Sequence, residues 1–289
     1  MTARRALTPS EVARQVESLI DREYVAPDYL KLFTGLFKAQ YQVEKGLRLG
    51  GLYPSVSKES ARRRLEQGLP LIDVSKLHFD EASLHRLLKK ISGVFARHTG
   101  ETGASFAWLD RSDTKLAELV GAFLAGDEEF FKELSTELKR EAGEVVFVAR
   151  LLAQPWLRRL ARSLSSKVGV DTVRTGSCPV CGGSPLMARL RPEDGRILLE
   201  CSICATQWTY NRLKCPSCGN EDVATLGCFF TESEPGYRVD KCDKCRRYVK
   251  TVDERGKQDE ELKALAVLDV ATLYLDMLAE KEGYSSLKD

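Results

Sequence analysis

The sequence predicts an α+β protein: a helical N-terminal bundle, two tandem four-cysteine modules, and a closing C-terminal helix. Three observations predict it. Apolar side chains recur at helical three-and-four spacing through the first 170 residues. All nine cysteines fall between Cys178 and Cys245, eight of them as four Cys-x-x-Cys pairs, in a stretch of short strands broken by glycine and proline. A leucine- and alanine-rich segment, Lys257 to Glu280, then reads as helix again. The expected divisions are 1–170 for the helical domain, 171–212 and 213–256 for the cysteine modules, and 257–289 for a helix that packs back on the rest.

Thr8-Pro9-Ser10-Glu11 has the form of a capping box with proline at the first helical position, and Val12, Val16, Leu19 and Ile20 continue it as one buried face. Leu30, Phe33, Phe37 and Tyr41 define a second helix. Leu84, Leu87, Leu88, Ile91, Val94 and Phe95 define another, after Asp80. Asp113 and Asp127 are placed to cap the segments carrying Leu116, Leu119, Val120 and Phe123, then Phe130, Phe131, Leu134 and Leu138. Val145 to Leu164 is a longer helical stretch in which Pro155 is expected to cause a kink or a break. Gly169 to Gly176 marks the change of composition. Beyond it, Leu186–Arg191 and Arg196–Glu200 flank the turn Pro192-Glu193-Asp194-Gly195, and Ala224–Phe230 and Tyr237–Asp240 flank a longer loop ending in Pro235-Gly236.

At 289 residues the chain has room for a sizeable core plus a smaller module, and 43% hydrophobic with 30% charged residues describes a folded soluble protein. No apolar run reaches the length of a membrane span; the best, Leu262 to Ala279, is interrupted by Asp269 and Asp276. Arg4-Arg5 precede Ala6 to Gln15, which contains Pro9 and Glu11 and no apolar core, so no export signal is read and the expected location is the cytoplasm. A net charge of +2 is too near neutral for a dedicated nucleic-acid binder. The chain has no His-Glu-x-x-His motif and no Gly-x-x-x-x-Gly-Lys phosphate loop, which argues against a metal-dependent hydrolase or an ATPase.

The cysteines form an internal repeat. Cys178-Pro179-Val180-Cys181-Gly182 corresponds to Cys215-Pro216-Ser217-Cys218-Gly219, and each is followed by a hairpin and a second pair, Cys201/Cys204 and Cys242/Cys245. A Cys-x-x-Cys turn directs both sulfurs at one ion, and glycine after the second cysteine permits positive φ. Two such turns at the ends of a hairpin supply four thiolates in a tetrahedron. The expected ligand sets are therefore Cys178, Cys181, Cys201 and Cys204 for one ion, and Cys215, Cys218, Cys242 and Cys245 for the other; an interleaved pairing of outer with inner turns stays open but wastes the repeat. In the cytoplasm such pairs read as metal ligands rather than disulfides. Zinc and a single iron both suit four sulfurs, and four thiolates leave no open position for a metal-bound water. A purely structural role suffices to explain the residues, since structural zinc contributes roughly 10–16 kcal/mol to folding.

Several other residues carry expectations. Cys228, beside Phe229 and Phe230, is expected as a buried core cysteine. Trp208, Tyr210 and Tyr248 are expected to fill a small core around the sulfurs, with an electron path as the lesser alternative. His98, in register with Ile91, Val94 and Phe95, reads as a helix histidine rather than a ligand. Asp269 and Asp276, seven apart on an apolar helix, read as a solvated stripe, the alternative being hydrogen bonds across a domain interface or to a partner. Arg62-Arg63-Arg64 and Arg158, Arg159 and Arg162 read as solvated basic faces. From Arg174 to Lys250 there are 12 Lys/Arg against 9 Asp/Glu, and eight thiolates with two divalent ions take that stretch to −1. A zinc-ribbon nucleic-acid binder would then depend on a local patch of Lys241, Lys244, Arg246, Arg247 and Lys250.

Taken together, the helical first half, the two Cys-Pro-x-Cys-Gly pairs each answered by a later Cys-x-x-Cys, the closing helix and its segment Asp269-Val270-Ala271-Thr272-Leu273-Tyr274-Leu275-Asp276 resemble the formate dehydrogenase accessory proteins called FdhE. The resemblance covers essentially the whole chain, with no departure at the eight cysteines. It implies a cytoplasmic, non-enzymatic assembly factor that binds the catalytic subunit of a respiratory formate dehydrogenase before export. It also implies rubredoxin-like sites, with two ferric ions (Fe3+) held by the eight paired cysteines and zinc as the alternative. No nucleic acid and no membrane insertion are expected, and a homodimer is left open. The rival functions are a zinc-ribbon nucleic-acid binder and a soluble one-electron carrier.

Overall fold

A computed structural model describes residues 7–22, 24–99, 106–110, 115–165, 168–170, 173–255, 257–258 and 263–287. The capping box at its start is formed as the sequence predicts: Glu11 N donates to Thr8 Oγ1 at 3.4 Å, and Thr8 N donates back to Glu11 Oε2 at 2.7 Å. Helix α1 (Pro9–Glu17) buries Val12 and Val16. Then come α2 (Pro27–Gly46), α3 (Lys58–Glu66), α4 (Glu81–Thr99), the short α5 (Ala107–Asp110), α6 (Leu116–Ala125), α7 (Glu128–Leu138) and α8 (Ala142–Ser165). Asp127 caps α7 by accepting from Phe130 N at 3.0 Å. Asp113, expected to cap the preceding helix, lies outside the described residues. The first amides of α6, those of Leu116 and Ala117, donate to the Glu81 carboxylate at the start of α4 (2.6 and 2.9 Å). A side chain from a neighbouring helix thus satisfies groups that a helix start leaves orphaned.

Pro155 does not break α8. Proline has no N–H for the carbonyl four residues back, so Leu151 O loses its helical donor. Gln40 of α2 supplies a replacement, its Nε2 donating to Leu151 O at 2.8 Å. The same amide accepts from Arg158 Nη2 at 2.8 Å, and Arg158 Nε pairs with Glu44 at 3.0 Å; Arg162 reaches the same carboxylate. Arg158 and Arg162 therefore fasten α8 to α2 instead of forming the solvated face expected of them. A basic cluster on a helix is solvated only when no acid on a neighbouring helix reaches it, and buried Glu44 does. In the other basic run, Arg64 Nε donates to Pro70 O at 2.8 Å, whereas Arg63 makes only an exposed pair with Glu59.

Among the described residues the strands form one seven-stranded sheet, ordered β3-β2-β1-β6-β5-β4, with β7 also on β6. The strands are β1 (Pro185–Leu190), β2 (Ile197–Cys201), β3 (Gln207–Tyr210), β4 (Leu226–Phe230), β5 (Tyr237–Cys242), β6 (Arg247–Asp253) and β7 (Ser285–Ser286). Within each cysteine unit the pairing is antiparallel, as the hairpin signals predict. The units are fused by a short parallel pairing, Ala188, Arg189 and Leu190 opposite Thr251, Val252 and Asp253. Alternation along the strands then divides the core. Ala188, Leu190, Ile197, Leu199 and Val249 join the cluster of α4, α6 and α8. Met187, Tyr237, Val239, Tyr248 and Val252 join the cluster of α1, the start of α2 and the C-terminal helices.

The closing segment is two helices, α9 (Leu265–Ala271) and α10 (Leu273–Lys281), where one was expected. The break falls at Thr272, whose φ of −119° and ψ of 31° are not helical. Its cause is buried charge. Lys250, on β6 and 1% exposed, donates to Asp269 Oδ1 (2.8 Å), Asp276 Oδ2 (2.6 Å) and the carbonyl of Asp269 (2.7 Å), while Tyr248 Oη donates to Asp276 Oδ1 (2.7 Å). The turn at Thr272 lets both acids and a helix-end carbonyl converge on one ammonium. Asp269 and Asp276 are therefore buried across an interface, the alternative to the solvated stripe. Removing a buried ion's partner costs about 3–5 kcal/mol. Lys250→Met is accordingly expected to lower stability by that amount in denaturant titration, and combining it with Asp269→Asn and Asp276→Asn to recover part of the loss.

Candidate metal centres

The four Cys-x-x-Cys turns share one backbone construction. Gly182 N donates to Cys178 O (2.8 Å), Gly219 N to Cys215 O (2.9 Å), Ala205 N to Cys201 O (3.2 Å) and Arg246 N to Cys242 O (2.9 Å). The residue after each second cysteine has positive φ: 79° at Gly182, 70° at Gly219, 56° at Ala205 and 58° at Arg246. The first pair of each unit uses glycine; the second accepts the strain of a side chain there. Amides turn toward the sulfurs, with Val180 N 3.4 Å from Cys178 Sγ, and Ile203 N and Cys204 N 3.4 and 3.5 Å from Cys201 Sγ. Asn220 Nδ2 lies 3.6 Å from Cys242 Sγ.

The structure assembles the predicted groups, Cys178, Cys181, Cys201 and Cys204 in one and Cys215, Cys218, Cys242 and Cys245 in the other, each with its sulfurs within 4.8 Å of one another. Facing pairs lie at 3.5 Å (Cys178–Cys204), 3.4 Å (Cys181–Cys201), 3.7 Å (Cys215–Cys245) and 3.8 Å (Cys218–Cys242). A tetrahedron of sulfurs each about 2.3 Å from a metal has edges of about 3.8 Å. The donor sets thus fit a thiophilic ion, and each group can hold one. Their ionisation agrees with this. Hydrogen bonding to Cys178 pushes the Cys181 thiol well up, and burial does the same to Cys201. Burial also opposes ionisation at Cys204, but hydrogen bonds from Cys178, Cys181, Cys201 and Thr206 outweigh it and hold that thiol low. In the second group burial raises Cys215, while amide donors from Cys245 and Lys244 overcome burial at Cys242 and bring it to about 7. Four sulfurs this close cannot all carry charge without a cation among them.

The surroundings of the two groups differ. All four cysteines of the first are buried and belong to the main core cluster. The loop before α4 donates to its first turn, Leu71 N to Pro179 O (3.0 Å) and Ile72 N to Val180 O (2.8 Å). Gln154 of α8 covers the second turn by donating to Ser202 O at 3.0 Å. In the second group Cys215 and Cys242 are buried, Cys245 is partly exposed and Cys218 is exposed. Module meets module at Tyr210, whose hydroxyl donates to Cys215 O (3.2 Å), and at Gly176, where an added Cβ would stand 1.9 Å from Pro216 O.

Other expectations resolve here. Trp208, Tyr210 and Tyr248 are buried, with Trp208 Nε1 donating to Thr175 O at 2.8 Å. His98 is exposed, on a different element from either sulfur group. Cys228 is exposed, contrary to the core position expected of it. It lies on β4, the last strand of the sheet order, and its face looks into an open cleft of about 250 Å3 that Cys215 and Cys242 also line. The basic patch is partly engaged within the chain, with Lys244 and Arg246 still exposed. Lys250 is buried, Lys241 pairs with Asp243 (2.7 Å), Arg246 donates to the carbonyls of Glu282 and Gly283, and Arg247 to that of Ser286. Sequence reasoning missed Gln154, which joins α8 to the second turn of the first group, and Gln40 and Glu44, which fasten α2 to α8 behind it.

Fold and sites together define a protein whose helical bundle is joined through one sheet to two four-sulfur clusters, each supplying a complete ligand set. Residues 177–212 match the family model "FdhE, central domain" and residues 213–288 match "FdhE, C-terminal domain". The Protein FdhE homolog of Aquifex aeolicus is 25% identical over 236 residues, covering 80% of this chain and 76% of the relative. Protein FdhE of Escherichia coli K12 is 27% identical over 224 residues, covering 76% and 68%. The crystal structure of the FdhE protein from Pseudomonas aeruginosa has the same fold, with a TM-score of 0.68 at 24% identity over 99% of this chain and 96% of that one. Residues 177–288 thus match the FdhE family's central and C-terminal domains, and most of the chain's length is similar to FdhE proteins.

The turn geometry has a direct test. Placing a Cβ at positive φ costs about 1–2 kcal/mol, so Gly182→Ala is expected to lower the melting temperature, whereas Ala205→Gly, at the matching position of the partner turn, is expected to keep or raise it.

Proposed function

We propose that this protein is an assembly factor for a respiratory formate dehydrogenase, holding the enzyme's catalytic subunit in the cytoplasm before export and performing no turnover of its own. The observation that carries this reading is the run of FdhE family matches across residues 177–288, the stretch that supplies both sulfur clusters. The clusters fit a role without hydrolysis, since four thiolates leave an ion no vacant position for water. Cys178, Cys181, Cys201 and Cys204 would hold one metal ion, and Cys215, Cys218, Cys242 and Cys245 the other. Iron is the favoured occupant and zinc the alternative. Iron held by four thiolates supplies one-electron chemistry without a change of ligands, and zinc supplies none. In either case the chain's own contribution is to fix eight sulfurs in place through amide donors and to keep the first set dry.

Among the described residues no helix is long and apolar enough to cross a membrane, in keeping with a client met before export. The nucleic-acid alternative is weakened by the burial of Lys250 between Asp269 and Asp276 and by the pairing of Lys241 with Asp243.

Deleting the gene is expected to abolish respiratory formate oxidation while leaving synthesis of the catalytic subunit intact, and the wild-type protein is expected to capture that subunit in a pull-down. Normal formate oxidation in the deletion strain would sink the proposal. Protein purified from its native host is expected to carry close to two metal ions per chain by elemental analysis. Iron with a thiolate-to-metal absorption that bleaches on reduction selects the redox form of the proposal; colourless zinc selects the scaffolding form.

A further inference from the structure

The two clusters have the same ligands and turns but differ in every route by which a small molecule could reach them. The first is closed on both turns. Leu71 and Ile72 donate to the carbonyls of Pro179 and Val180, Gln154 donates to that of Ser202, and all four cysteines lie within the apolar core formed with α4, α6 and α8. The second is open on two sides. Cys218 is exposed and Cys245 partly so, while Cys215 and Cys242 form part of the wall of the 250 Å3 cleft between the modules. Among the described residues, the contacts on its turns from outside its own hairpin unit are Tyr210 on Cys215 O, Gly176 against Pro216, and the segment after α10, which meets the second turn through Arg246 and Asp243 and leaves Cys218 uncovered.

We infer that the second cluster is an exchangeable metal site, able to take up and release a thiophilic divalent ion while the protein stays folded, and that the first holds its ion permanently. This rests on the reading of both clusters as metal sites. The exchange step balances simply. A chelating ligand entering beside Cys218 displaces the sulfurs in turn, the ion leaves with the chelator, and four protons from solvent return the thiolates to thiols. Refilling reverses each step and releases the protons. No electron moves. For the first cluster the same chelator has no approach until three hydrogen bonds to the helical half and the packing around them have opened, so its exchange is expected to be slower by at least about tenfold.

The test uses the full chain loaded with cadmium or zinc. It is mixed with excess of a chromogenic chelator while far-ultraviolet circular dichroism follows the fold. Samples taken during release are alkylated with N-ethylmaleimide and mapped by mass spectrometry. The expected result is two phases of about one equivalent each. In the fast phase Cys215, Cys218, Cys242 and Cys245 become labelled, the spectrum is nearly unchanged, and the first four cysteines stay protected. Cys228, exposed and outside both clusters, should label at once and serves as the internal standard; Cys228→Ser should leave both phases unaltered. Release of both equivalents in one phase, labelling of Cys178, Cys181, Cys201 and Cys204 first, or a fast phase that coincides with loss of the fold would each overturn the inference. Failure to load two equivalents would instead overturn the metal-site reading beneath it. As a second arm, Gln154→Ala removes one cover from the first cluster and is expected to speed the slow phase alone.

Discussion

Three residues of parallel pairing, Ala188–Leu190 against Thr251–Asp253, decide how everything else is arranged. Without them the two cysteine hairpins would be separate beads, each too small to bury much beyond its own metal. With them the hairpins share a sheet wide enough to have two covered faces, and each face receives its own helical layer. The seam is reinforced where it is most buried. Arg189 of β1 pairs with Glu254, just past β6, at 2.8 Å with both side chains 2% exposed, and donates to Lys263 O at 3.0 Å. On the next strand Lys250 pairs with Asp269 and Asp276. The two buried cations lie on the two central strands and hold the approach to α9 and the α9–α10 turn, so the C-terminal segment is fastened by charge as well as by apolar packing.

Buried ion pairs of this kind contribute little net stability, because desolvation offsets attraction. They do discriminate between arrangements. Apolar α9 and α10 would pack acceptably on a β-sheet in several registers, but only one places Asp269, Asp276 and the Asp269 carbonyl around a single ammonium. The Gln40–Leu151 bond acts similarly in the helical half. Proline at position 155 would otherwise leave an unpaired carbonyl in the core, and the registry of α2 against α8 that avoids this also brings Glu44 to Arg158 and Arg162. In both halves a polar defect in one element is cancelled by a distant one, so the pairing of elements is specified.

That distance explains which parts were legible in the sequence. Capping at Thr8 and Asp127, the helix faces and the cysteine turns depend on residues a few positions apart, and their spacing is visible in the chain. The grouping of the eight cysteines was also legible, because a hairpin of known form joins each pair to its partner. Asp269 and Asp276 were misread because Lys250 lies 19 and 26 residues away on a strand whose face is not apparent from its neighbours. Arg158 was misread because Glu44 is 114 residues away. Cys228 was misread for another reason: alternation says which face of a strand a residue occupies, but not whether anything covers that face. β4 ends the sheet and, among the described residues, no helical layer reaches its Cys228 face.

The same coverage sets the two sulfur clusters apart. The turns share one backbone construction and each group offers four sulfurs, so similar intrinsic affinity for an ion is expected; what differs is the surface laid over them. Helix α8, through Gln154, and the loop at Leu71 and Ile72 cover the turns of the first unit, whose strands share one apolar cluster with α4, α6 and α8, and β4 contributes no residue to that cluster. A second unit built on the same repeat therefore keeps the ligand geometry while losing the lid. The duplication thus provides what a single module cannot, a rigid core and an open sulfur face within one sheet. The strain of Ala205 and Arg246 is tolerated because each turn is held by a sheet much larger than itself.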